Sequence, residues 1–129
     1  MPDRAILRAF HFFDETARVG EAVAALERDD VRSFLGALVA SGESSWKLLQ
    51  NLYVPGSSNQ EMPLALEMSR RMLAGRGAWS IHGGGFAGTI LAFVPMDMLD
   101  AYRTQMDAVF GDGATVALSI RPEGAVVLQ

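Results

Sequence analysis

The chain has 129 residues, half of them hydrophobic and 20% charged, with a formal net charge of −4 at pH 7. This length suits one globular domain over 1–129 with a single core, and the acidic balance gives no basic face for binding nucleic acid. The absence of cysteine excludes disulfides and thiolate zinc sites, and two histidines are too few for a histidine metal cluster.

Helical periodicity marks the first half of the chain. A first helix should run to about Arg28. Its apolar stripe is formed by Ile6, Phe10, Phe13, Ala17, Val19, Val23 and Leu26. Asp29 and Asp30 can cap a second helix, which Gly42 is expected to interrupt.

Two shorter segments follow on either side of a loop. Ser44 or Ser45 can restart a helical turn, and residues 55–59 have the composition of a loop. A third amphipathic helix is predicted over 62–74, with Pro63 in its first turn, where a missing N–H does no harm. Its core-facing residues are predicted to be Leu64, Met68 and Met72.

Strand-like segments appear in the second half. Residues 78–82 and 89–94 predict a β-hairpin around a glycine-rich loop. Asp97 can cap an amphipathic helix over 97–110, which the glycines after it would end.

A second hairpin is predicted at the end of the chain. The apolar residues Val116, Leu118 and Ile120 alternate with small or polar ones, a turn follows at 121–124, and residues 125–128 form the closing strand. The order of elements therefore predicts an α+β fold: a four-stranded antiparallel sheet covered by helices on one face, behind an N-terminal helical block.

The glycine-rich loop at 82–88 has the most unusual composition in the chain. It reads His82, Gly83, Gly84, Gly85, Phe86, Ala87 and Gly88. Consecutive glycines indicate positive φ angles or a close approach of backbone to another group, and a phosphate held by successive N–H groups is one such group. A plain hairpin turn that uses glycines for its twist explains the composition equally well.

The segment 77–88, Gly-Ala-Trp-Ser-Ile-His-Gly-Gly-Gly-Phe-Ala-Gly, followed by an apolar strand, resembles the third motif of the galactokinase branch of the GHMP kinases. The family motif is close to Gly-Ala-Arg-Met-Thr-Gly-Gly-Gly-Phe-Gly-Gly. The matching positions are Gly83, Gly84, Gly85, Phe86 and Gly88. The departures are Ser80, His82 and Ala87, which stand where the family usually has arginine, threonine and glycine, and they point to a divergent branch or a different sugar.

This resemblance implies the ferredoxin-like C-terminal domain of a kinase that uses ATP and Mg²⁺ to phosphorylate the anomeric hydroxyl of galactose. The loop 82–88 would shape the nucleotide and sugar sites, and Ser44 and Ser45 are candidates to face the cleft. The family's catalytic residues lie in an N-terminal domain that this chain lacks. The chain alone is therefore expected to be inactive and to bind no cofactor, as a fragment of a longer kinase or the partner of a separate domain.

Single residues in these segments leave alternatives open. His82 can bond a sugar hydroxyl or phosphate, or it can have a structural bond to nearby backbone. Phe86 can pack beneath the loop or contact the substrate. His11, among aromatic residues on a helix, is interpreted as packing.

A second hypothesis is a stand-alone small-molecule-binding or regulatory module on the same scaffold, which would hide its apolar surface in a homodimer. A kinase fragment should expose an apolar patch where the missing domain docks, with Phe10, Phe12 and Phe13 as its candidates. No apolar run approaches the roughly 20 residues that span a bilayer, and the start lacks a signal-peptide pattern, so we expect a cytoplasmic protein with no membrane partner.

Overall fold

The computed structural model describes residues 2–86 and 88–123. The helical elements of the first half are α1 (Asp3–Glu27), α2 (Val31–Ser44), a π-helical turn (Ser45–Leu49) and α3 (Glu61–Leu73). They are followed by strands β1 (Ala78–His82) and β2 (Thr89–Phe93), a 3-10 turn (Met96–Met98) and helix α4 (Leu99–Phe110). The α+β class and the first hairpin are confirmed.

The predicted four-stranded sheet is wrong. Within the described residues the sheet has two antiparallel strands, with Ser80 of β1 opposite Leu91 of β2. Residues 114–120 form no strand, and Val116, Leu118 and Ile120 are 71%, 77% and 85% exposed. Alternation makes a strand only where a neighbouring strand and an apolar surface are within reach, and this segment lies against neither. The predicted closing strand over 125–128 lies outside the described residues.

The helices cover both faces of the hairpin rather than one. Trp79 and Ile81 project from one face into the main core, where Leu66 and Leu73 of α3 meet Tyr102 of α4. On the other face α2 crosses the strands. There Phe34 makes an edge-to-face contact with Phe93, with ring centroids 5.7 Å apart. The hairpin is thus the middle layer of three.

The buried glycine Gly42 explains how closely α2 approaches the sheet. A Cβ added to Gly42 would lie 3.1 Å from both Ser80 Cα and Trp79 O, so backbone packs on backbone. The prediction that Gly42 interrupts the second helix is therefore wrong, because the helix continues to Ser44. Glycine serves here for close packing between elements.

Helix α1 has the predicted length, but its apolar stripe does not face the core. Its hydrogen bonds to α2 join polar side chains: the Ser41 hydroxyl donates to the Glu15 carboxylate, and His11 Nδ1 lies 2.9 Å from Ser44 Oγ. The exposed apolar residues of the helix are Ile6, Phe10, Phe12, Phe13, Val19, Val23 and Leu26. The apolar periodicity correctly predicts a helix, but it does not show which surface packs against the apolar face of that helix.

Of the predicted N-terminal helix caps, Asp30 is confirmed and Asp97 is wrong. Asp30 caps α2 by accepting a hydrogen bond from Ser33 N at 3.0 Å, and hydrogen bonding from the side chain and then the backbone of Ser33 lowers the pKa of the Asp30 carboxyl. Asp97 does not cap the last helix, which begins at Leu99 without a side-chain cap. The Asp97 carboxylate instead pairs with Arg76 at 3.0 Å. Asp97 lies inside the 3-10 turn that precedes the helix and is therefore not at the helix N-cap.

Helix α3 begins and ends close to its predicted bounds. Met68 and Met72 pack against the core as expected, but Leu64 is exposed and the residues beside it, Pro63 and Ala65, are buried instead. No helix in the described part of the chain is long and apolar enough to cross a membrane.

Candidate functional site

The loop between β1 and β2 has a backbone conformation that favours glycine. Gly83 and Gly85 have φ angles of 73° and 78°, and Phe86 adopts a φ of 53°. A non-glycine residue in this left-handed region is uncommon and costs energy that the surroundings must offset. The loop is therefore held by contacts rather than by its own preference.

Those contacts come from Asn51, which lies beneath the loop and is 3% exposed. The Phe86 N–H donates to the Asn51 backbone carbonyl at 2.6 Å, and Asn51 Nδ2 donates to the Gly84 carbonyl at 3.0 Å. One residue thus binds the turn at two points, from its main chain and from its side chain.

Gly85 is the position where the loop cannot hold a side chain. A Cβ there would lie 2.3 Å from the Asn51 carbonyl oxygen and 2.7 Å from Asn51 Nδ2. At Gly83 and Gly84 an added Cβ would meet nothing within 4 Å. The close approach expected from the glycine run is therefore made, at Gly85, to Asn51 of the same chain.

The π-helical turn places Asn51 under the loop. Gln50 N donates to the Ser45 carbonyl at 2.7 Å, closing the wide turn, and Gln50 then reverses the chain with a φ of 58°. Leu52, 1% exposed, fixes the chain on the far side of Asn51. Single π turns often occur at functional sites. The sequence does not indicate this role of Asn51, since a lone asparagine after an apolar turn carries no distinguishing signal.

The two serines proposed to face the cleft are both buried in this domain. Ser44 Oγ bonds to His11, and Ser45 is the first residue of the π turn. His11 is thus partly buried against α2, in agreement with a packing role. The sequence does not indicate that Ser44 and His11 are in contact, and the structure brings them together.

His82 is exposed at the end of β1, opposite Thr89. Its ring makes no hydrogen bond to any described residue, so the predicted structural bond to nearby backbone is not made there. Phe86 is half-exposed and is held through its main chain. Ala87 lies outside the described residues, and Gly88 is exposed beside the start of β2.

The described part of the chain holds no group of three or more metal-binding side chains. A groove of about 470 Å³ lies between α1 and α2, away from the loop, and Glu21, Arg28, Ser33 and Gly36 are among the residues that line it. Apart from His82 at its start, the described part of the loop presents backbone groups and one aromatic ring. Its chemistry is therefore that of shape and main-chain hydrogen bonding.

No protein-family model matches the chain, and no solved structure matches it either.

Proposed function

We propose that the chain is part of an ATP-dependent sugar kinase of the GHMP class. Within that class we propose the C-terminal part of a galactokinase, which converts galactose to galactose 1-phosphate. The observation that carries the proposal is the motif-like loop Gly83-Gly84-Gly85-Phe86, which two hydrogen bonds join to Asn51.

A loop made chiefly of backbone groups suits one wall of a cleft. Phosphoryl transfer depends chiefly on positioning the reactants and stabilising charge, so a wall that holds ATP, Mg²⁺ and sugar in place contributes without doing chemistry itself. The catalytic groups would belong to an N-terminal kinase domain. That domain would be the partner of this one, either in the same chain or as a separate chain. Such an enzyme would work in the cytoplasm, where ATP is available.

The exposed aromatic residues of α1 support the fragment over the stand-alone module. Phe10, Phe12 and Phe13 are 56%, 65% and 69% exposed, on a helix in which Ala25 is the buried residue. Exposed apolar patches mark surfaces that another protein or domain covers. A free-standing module would have to hide this face in a homodimer.

The test uses the open reading frame that surrounds the chain. The purified product should consume ATP only when galactose and Mg²⁺ are both present, whereas the 129-residue chain alone should bind neither ATP nor galactose by calorimetry. Absence of sugar-dependent ATP consumption by the longer product would contradict the proposal. Micromolar binding of a small ligand by the short chain would favour the module.

Two glycine variants of the longer product test the role of the loop. Gly85→Ala forces the turn away from Asn51 and should lower kcat/KM for galactose about tenfold or more. Gly84→Ala is the matched control, because its Cβ would meet nothing within 4 Å, and it should change kcat/KM less than about twofold. A change of less than about twofold in both variants would remove the loop from the proposed site.

A further inference from the structure

We infer that Asn51 is a reversible latch: the turn Gly84–Phe86 has a latched state, bound to Asn51, and a released state. In the described residues the turn's hydrogen bonds to the rest of the domain are the two that Asn51 makes. Asn51 is then the positioning residue of the turn. The inference concerns the fold and holds whether or not the chain belongs to a kinase.

The latched state carries an unpaired acceptor. Asn51 Oδ1 is buried and no described residue donates to it. The amide cannot turn around to relieve this, because a carbonyl such as Gly84 O accepts only from Nδ2. A buried acceptor without a donor is unfavourable, and release of the turn would allow water to reach it.

The latched state also holds Phe86 in the left-handed region, which a non-glycine residue leaves readily when its restraint is lost. Two favourable hydrogen bonds therefore oppose two unfavourable features at the same residues. Little burial adds to the restraint, since Gly84 is exposed and Phe86 is half-exposed. Because of this balance, release of the turn should cost less free energy than global unfolding of the protein.

Amide hydrogen exchange of the 129-residue chain measures this directly. The Phe86 amide donates to Asn51 O, so its exchange reports release of the turn, while the amide of Leu73, in the core helix α3, reports global unfolding. We expect the protection factor of Phe86 to be at least about tenfold below that of Leu73. Equal protection of the two amides would show that no separate released state exists and would overturn the inference.

The variant Asn51→Asp identifies the donor. A carboxylate cannot donate to Gly84 O, so at pH 7 the protection of Phe86 relative to wild type should fall about tenfold or more. Burial raises the pKa of an aspartate, and its protonated form regains an O–H donor as the pH falls. The protection ratio to wild type, taken at each pH, should therefore recover toward one on acidification. A ratio independent of pH would contradict donation by the side chain.

A second variant tests the latch from the side of the turn. Gly85→Ala breaks the latch from the side of the turn, so combining it with Asn51→Asp should lower Phe86 protection no further than either change alone. Additive losses would show two independent contacts and would overturn the latch. In the longer product, unchanged kcat/KM in Asn51→Asp together with pH-dependent exchange would contradict the kinase proposal and leave the latch in place.

Discussion

Helices α1 and α3 are both amphipathic, yet they use their apolar faces in opposite ways. The 13 residues of α3 bury Met62, Pro63, Ala65, Leu66, Ser69 and Leu73, whereas the 25 residues of α1 bury Ala25. The apolar face of α3 meets the hairpin and α4, whereas the hydrogen bonds from α1 to α2 join polar side chains and the aromatic residues of α1 are exposed. Hydrophobic periodicity therefore identifies a helix without identifying what covers it.

Paired leucine truncations give the largest expected difference between the two helices. Leu73→Ala in α3 removes a fully buried side chain and should lower the free energy of unfolding by about 2–5 kcal/mol. Leu26→Ala in α1 truncates a side chain that is 51% exposed and should change it by less than about 0.5 kcal/mol. Urea denaturation of the chain at pH 7 measures both.

A similar loss in both variants would break the contrast, because it would mean that the outer face of α1 is covered in solution. Repeating the Leu26→Ala measurement over a range of protein concentrations distinguishes the cause. A cost that grows with concentration would indicate a second copy of the chain on this face, and therefore the homodimer of the alternative hypothesis.

The elements set by local periodicity were predictable, and those set by distant partners were not. The bounds of α1 and α3, the Asp30 cap and the first hairpin follow from residues close in sequence. The prediction of a third strand was wrong because an alternating segment forms a strand only beside a neighbouring strand, which the described part of the tertiary structure does not provide there. The same limit applies to Gly42, which the sequence presents as a helix breaker and the fold uses for packing.

The candidate site also has one part that the sequence indicates and one part that it does not. The glycine composition of 83–85 indicated a constrained backbone, and the structure has two positive φ angles there. It could not indicate Asn51, which lies more than 30 residues earlier and reaches the turn through a π-helical turn and a left-handed Gln50. Neither irregularity has a reliable sequence signature.

Two glycines of α2 sharpen the comparison, because this helix lies between α1 and the sheet. Gly42→Ala places a Cβ against the backbone of β1 and should destabilise the chain by about 1–2 kcal/mol, the usual cost of overpacking. Gly36→Ala faces the open groove beside α1, with nothing within 4 Å, and should stabilise by about 0.5–1 kcal/mol through helix propensity.

Opposite signs in thermal or urea denaturation would confirm that α2 is close-packed on the sheet side and open on the other. Stabilisation by both substitutions would contradict the close approach at Gly42.

The smallest expected effect concerns the buried polar contact between α3 and α4. Ser69 Oγ uses its single hydrogen to donate to Ala65 O at 2.8 Å, so the Tyr102 hydroxyl must donate to Ser69 Oγ, also at 2.8 Å. Tyr102→Phe removes this bond, leaves Ser69 paired and should cost about 1 kcal/mol at pH 7. Tyr53→Phe, at an exposed position, is the control and should change the free energy of unfolding by less than about 0.5 kcal/mol.

The pH dependence separates this bond from simple packing. Burial raises the pKa of Tyr102, so the folded state keeps the phenol proton at a pH where the unfolded chain, with an ordinary pKa of about 10, has lost it. The corresponding stability is fully present below pH 10 and falls as the pH rises toward the folded-state pKa. Tyr102→Phe should therefore lose less stability than wild type between pH 9 and about 11. Parallel losses in the two proteins would show that Tyr102 is not desolvated and that α3 and α4 are open to water at this contact.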